Sequence, residues 1–228
     1  MQTRTIVFDF DGTMAKSTTY HRSGWEAVIR DLGISSNLNA LLPYEPNLRE
    51  RFDSYRRIES GFLGDETIRN RVYSYFGSKN DKDLPQLLMN LKESFTINAI
   101  LKENINASID NLGLNLILAL NNLKDKKIHI GIISSTRETI INSYLYKCGL
   151  LGYFDFILGE ETLTNSKGSL LDKPNIYAKR VLKYRHLAMD LYVGDSKEID
   201  MEFSKKCGVR FVLADYKTDF ADLLMNNI

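Results

Sequence analysis

Two cysteines in 228 residues are too few for a disulfide scaffold. Cys148 and Cys207 lie in the similar contexts YKCGL and KKCGV, where a glycine follows the last turn of an expected helix, so both are read as buried reduced thiols. Excess charge is also lacking: 30 lysines and arginines face 29 aspartates and glutamates, a formal net of +1, and the two signs are well mixed. Bulk electrostatics therefore predict neither nucleic acid nor an anionic membrane as partner. No apolar run approaches the roughly 20 residues that span a bilayer. The N-terminus enters a strand-like segment without a signal-peptide hydrophobic region, and the expectation is a cytoplasmic protein. His21 and His186 have no partner at metal-ligand spacing, and His129 sits inside a strand-like run, so none of the three histidines is given chemistry. Internal repeats and low-complexity linkers are missing as well.

What is present is 43% hydrophobic residues, enough to bury a sizeable core in one large domain or in a domain carrying an insertion. From residue 114 onward helical and strand-like stretches alternate: LNLILALNNLKDK, KIHIGII, RETIINSYLYKCG, FDFIL, NIYAKRVLKYR, DLYVG, MEFSKKCG and VRFVL. That rhythm predicts an α/β fold, a Rossmann-like, mainly parallel sheet with helices on both faces. Residues 15–99 read differently. Amphipathic segments such as SGWEAVIRDLG, NLRERFDSYRRIESGFLG and DETIRNRVYSYFG follow one another without a strand between them. The expectation is a core of residues 1–14 and 100–228, with an all-helical domain, 15–99, inserted after the first strand.

The chemistry collects where the strands end. In TIVFDFDGT, residues 5–13, Asp9 and Asp11 lie two positions apart after an apolar run and project the same way if strand geometry lasts that far. Two carboxylates in one small space repel, and a divalent cation relieves the repulsion. In open α/β sheets ligands bind beyond the carboxyl ends of the strands. There HIGIISS contributes Ser134 and Ser135, and LYVGDSKEID contributes Asp195, Glu198 and Asp200, while Lys173 opens the helix before that last strand. Carboxylate oxygens suit magnesium, which binds substrate phosphate through one or two protein carboxylates. With the pair neutralised, one carboxylate can attack phosphorus and the other can serve as acid and base. A lysine and a hydroxyl would hold the remaining phosphoryl oxygens, and no organic cofactor is required.

Over nearly its whole length the chain resembles the haloacid-dehalogenase-superfamily hydrolases, in the group with a helical cap that includes phosphoglycolate phosphatase and β-phosphoglucomutase. The resemblance implies that Asp9 of DFDGT is the nucleophile and Asp11 the general acid and base, with Ser134 of GIISS and Lys173 of LDKPNIYAKRV completing the catalytic set. It implies a magnesium site of Asp9, Asp11, Asp195 and Asp200, with Glu198 the alternative to Asp200, and substrate contacts from Gly12, Thr13 and Ser135. The implied activity is a magnesium-dependent phosphatase acting on a small phosphorylated metabolite through an aspartyl-phosphate. A phosphomutase of the β-phosphoglucomutase type is the alternative, and a catalytically silent binding protein a further one.

Two departures from the family pattern matter. Four residues separate Asp195 from Asp200 where relatives commonly have two or three, and Lys16 stands where relatives often have aspartate. Lys167 in NSKGS is a second candidate for the lysine, although Lys173 sits directly before the helix leading into LYVGD. In the inserted segment, Arg49, Arg51, Arg56 and Arg57 are interrupted by acidic residues and read as a salt-bridged surface. Trp25 and the YSYF aromatics at 73–76 read as core.

Overall fold

A computed structural model describes residues 4–31, 84–164, 171 and 173–228. Lys167, the four arginines at 49–57 and the aromatics at 73–76 lie outside the described residues. The chain divides into two compact units, Met1–Ser17 with Glu103–Ile228, and Thr18–Lys102.

The first unit is built on a five-stranded sheet of β1 (Thr5–Phe8), β2 (His129–Ile133), β3 (Phe156–Leu158), β4 (Leu191–Gly194) and β5 (Arg210–Leu213), in spatial order β3-β2-β1-β4-β5. All four pairings are parallel. Parallel neighbours require crossovers, and the intervening helices supply them: α4 (Leu116–Asp125), α5 (Glu138–Lys147), α6 (Glu160–Leu163), α7 (Tyr177–Tyr184), α8 (Asp200–Cys207) and, after the last strand, α9 (Phe220–Met225). A sheet covered on both faces needs strands that are apolar throughout, and TIVF and LYVG are buried at every position.

The sheet's central strands anchor the core. Val7, Ile133, Leu158, Tyr192 and Phe203 pack in one buried cluster with Ala178 and Leu182 of α7. Phe8 meets the Phe220 ring of α9 at 6.1 Å, and each such side chain contributes about 1.5–3 kcal/mol by leaving water. Gly131 is required on β2 because the Phe156 ring occupies the space a Cβ would take. The free thiols Cys148 and Cys207 are buried, and the glycines that follow them, with φ of 70° and 66°, turn the chain out of α5 and α8.

Strand geometry stops at Phe8. The Asp9 amide still bonds the Val193 carbonyl at 2.8 Å, but the next residues form a tight turn in which Met14 and Ala15 both donate to the Phe10 carbonyl. Gly12 has φ +82° there, a conformation glycine adopts without strain. The strict two-residue alternation expected of Asp9 and Asp11 therefore does not apply, and their carboxylates take different partners.

The second unit contains α1 (Thr18–Asp31) and α2 (Leu84–Lys102), packed on each other. The short α3 (Ile105–Asp110) follows α2 and belongs to the first unit. Close approach of α1 and α2 is allowed by Gly24, where a Cβ would run into Thr96. Trp25, Val28, Leu91 and Ile100 are buried in this unit, and Lys92 Nζ lies 2.6 Å from His21 Nδ1. Among the described residues no helix is long and apolar enough to cross a membrane.

Candidate active site

Because every strand runs the same way, Asp9 after β1, Ser134 after β2 and Asp195 after β4 emerge at one edge of the sheet. Asp9 is buried, and Lys173 Nζ donates to its Oδ1 at 2.5 Å. The same ammonium donates to Asp200 Oδ1 at 2.5 Å. Thr13, fully buried, closes the other side of Asp9 by donating its hydroxyl to Oδ2 at 3.2 Å. One carboxylate oxygen each from Asp9, Asp195 and Asp200 lie within 4.8 Å of one another.

Electrostatics in this cluster follow from burial and crowding. Burial above all pushes the Asp9 carboxyl well above the usual carboxylate range; Lys173 pulls the other way, and the charges of Asp200, Asp11 and Asp195 add to the rise. Burial, then the Asp200 charge, pushes Asp195 up to about 6. Burial opposes the charge on Lys173, but Asp200 and Asp9 outweigh it and hold the ammonium well above its ordinary value. Three close carboxylates facing one ammonium form an all-oxygen donor set, which fits a hard divalent cation.

Asp11 stands outside that trio. Its Oδ2 accepts from Ser134 Oγ at 3.2 Å and from the Thr136 hydroxyl, and its Oδ1 accepts from Ser17 Oγ. Ser134 also accepts the Thr136 amide at 3.1 Å, so the loop after β2 is tied to Asp11 through two hydroxyls. Gly12 packs its backbone against the Asp195 carboxylate, leaving no room for a Cβ, and its carbonyl accepts the Tyr216 amide at 2.9 Å. Ser135 Oγ is buried without a hydrogen-bond partner among the described residues. Glu198 is exposed, whereas Asp200 is 1% exposed and within the cluster. Lys16 is exposed, with its ammonium 5.9 Å from the centre of the Tyr216 ring.

Three neighbours of this site escape sequence reasoning. Thr136 and Ser17 are hydroxyls in an ordinary loop and at an ordinary helix entry, and spacing alone does not single them out. Tyr192 sits in an apolar strand and reads as core, yet its hydroxyl is 3.3 Å from Asp200 Oδ1. The nearest available signal is its position three residues before Asp195.

Residues 6–214 match the family described as haloacid dehalogenase-like hydrolase, a span covering most of the chain and all of the cluster above. The chain belongs to that hydrolase family. Solved structures of similar fold include a predicted phosphoglycolate phosphatase from Haemophilus somnus, 17% identical, with a TM-score of 0.65 over 100% of this hydrolase and 99% of that chain. The HAD-family protein YfnB from Bacillus subtilis, bound to magnesium, is 16% identical with a TM-score of 0.59 over 100% of both chains. A β-phosphoglucomutase from Clostridium difficile is 15% identical, with a TM-score of 0.57 over 93% of this hydrolase and 84% of that protein. At these identities the likeness speaks for the fold. No curated protein sequence matches the hydrolase.

Proposed function

We propose that this hydrolase is a magnesium-dependent phosphatase that cleaves a small phosphorylated metabolite through an aspartyl-phosphate on Asp9. The observation that carries the reading is the buried Asp9 carboxylate, bridged by Lys173 and clustered with Asp195 and Asp200 at the carboxyl edge of the sheet. Membership of a hydrolase family and the magnesium in a protein of the same fold add support. Asp9, Asp195 and Asp200 would hold the cation, while Asp11, expected with them, has its carboxylate oxygens on Ser17, Ser134 and Thr136; the cation when bound would offset negative charge on the phosphoryl oxygens.

In the first half-reaction an Asp9 oxygen attacks phosphorus, the bond to the leaving oxygen breaks, and Asp11 delivers a proton to that oxygen. In the second, Asp11 takes a proton from water, the water oxygen bonds to phosphorus, and the Asp9–phosphorus link breaks to release phosphate. Ser17, Ser134 and Thr136 fix the direction in which Asp11 points. Lys173, with Ser134 and Ser135 after β2, would hold phosphoryl oxygens, and Gly12 and Thr13 shape the loop beneath them. The inserted helical domain, expected at residues 15–99, would serve as the cap that selects the leaving group.

The test is phosphate release from a panel of phosphorylated metabolites and a generic aryl phosphate, with magnesium and with chelator. Release that requires magnesium is the expected result. Isomerisation of a hexose phosphate with no free phosphate would replace hydrolysis by a mutase reaction, and no turnover in either assay would overturn the enzymatic reading.

A pH dependence follows from Asp195, whose folded value of about 6 exceeds the ordinary 3.8. An acid raised in this way contributes stability to the metal-free protein that is fully present below its unfolded pKa and is lost as pH rises through the folded one. A cation requires the ionised form. Thermal stabilisation by magnesium should therefore grow between about pH 5 and about pH 7. An equal shift at both values would count against Asp195 as a ligand.

A further inference from the structure

Tyr192 is fully buried in β4, paired in register with Val7 on one side and Phe211 on the other. Its ring packs edge-on against Phe203 of α8 at 5.1 Å, so the side chain is held from the strand and from the helix that Asp200 begins. The hydroxyl has two acceptors within reach: the Ile133 carbonyl at 3.1 Å and Asp200 Oδ1 at 3.3 Å. Ile133 is the last residue of β2, directly before Ser134. Lys173 Nζ lies 5.3 Å from the centre of the same ring. One phenol thus touches the end of β2, Asp200 and the ammonium that Asp200 shares with Asp9.

A tyrosine hydroxyl carries one proton, and either acceptor can share it. The packing contact with Phe203 is made by the ring, whereas the hydroxyl faces two polar acceptors. Asp200 has its Oδ2 on the Ser196 amide at 3.1 Å and its Oδ1 on Lys173, with the phenol fixing the remaining approach to Oδ1. We infer that Tyr192 is a positioning residue: its hydroxyl locks the Asp200 carboxylate against the end of β2 and so sets the grip of the acidic cluster on a divalent cation. The inference rests on the proposed metal site and extends it to a residue that touches neither phosphate nor cation. Partners of this kind, one step removed from a ligand, typically change metal affinity about 10- to 100-fold when lost.

The test is magnesium titration by calorimetry on the full chain and on Tyr192→Phe, which keeps the ring and removes the hydroxyl. A control, Met189→Ala, removes packing from the same buried cluster without touching Asp200. Tyr192→Phe should keep its circular dichroism, bind magnesium about 10-fold more weakly, and regain kcat on an aryl phosphate when magnesium is raised. Met189→Ala should lose thermal stability and keep its magnesium affinity. Unchanged affinity in Tyr192→Phe, or an equal loss in Met189→Ala, would overturn the inference while leaving the metal site standing. No magnesium binding by the unsubstituted protein would overturn the metal site itself, and the inference with it.

Discussion

Asp9→Asn should abolish turnover in a protein that remains folded. The amide matches the carboxylate in shape but is no nucleophile, and loss of a group that forms the covalent intermediate costs about four orders of magnitude in kcat or more. Stability should move the other way. Asp9 is buried, and burial together with the charges of Asp200, Asp11 and Asp195 pushes its carboxyl up despite Lys173. A raised acid destabilises the metal-free fold as pH climbs through its folded pKa, and a neutral amide removes that cost. Lys173 keeps Asp200 as its partner at 2.5 Å, so the ammonium is not stranded. The expected outcome at neutral pH is a melting temperature in chelator equal to or above that of the unsubstituted protein, with no phosphate release in a single-turnover assay. A folded variant with unaltered magnesium-dependent turnover would remove Asp9 from the nucleophile's role.

Lys173→Met should have the larger structural effect. The ammonium is 2% exposed and lies 2.5 Å from Asp9 Oδ1 and from Asp200 Oδ1, whose side chains are 8% and 1% exposed. Breaking a buried ion pair from one side leaves uncompensated charge in a poorly solvated place and costs about 3–5 kcal/mol. Methionine keeps most of the volume and isolates the electrostatic part of that loss. Urea unfolding in chelator should show the full deficit. Magnesium should narrow it, because a cation restores positive charge to the same carboxylates, and adding Asp200→Asn should recover a further part by removing one of them. A single variant as stable as the parent in chelator would show that the lysine does not hold this cluster together. Activity should be lost in either case, since positioning and charge on the phosphoryl oxygens dominate this class of reaction.

Much of the fold is legible in the chain because it is local. KIHIGII, FDFIL, DLYVG and VRFVL each contain a strand of the sheet, and the helices lie in the intervening segments, since apolar period and glycine punctuation are read over a few residues. The residues that the structure gathers at the sheet edge are legible for a related reason: Asp9, Ser134 and Asp195 directly follow strands and Asp200 opens a helix, while Lys173, expected to open one, lies in the turn four residues before the helix Tyr177–Tyr184. Tyr192 was not legible. Its position in an apolar run gives the same pattern whether its hydroxyl is idle or shared with Asp200.

Asp11 shows the limit from the other direction. Two-residue spacing from Asp9 predicts a common face only where strand geometry lasts, but the strand ends at Phe8, and the second carboxylate meets Ser17, Ser134 and Thr136. Alternation is a property of extended backbone and ends with the strand. By itself the sequence determined which segments are strands, that their crossovers make the sheet parallel, and which chemical groups stand at the strand ends. Only the tertiary structure decided which oxygen meets which donor. Lys173 reaches Asp9 across 164 positions and Asp200 across 27, and such pairings depend on the sheet order β3-β2-β1-β4-β5 and on ångström-scale side-chain placement, neither of which local periodicity encodes.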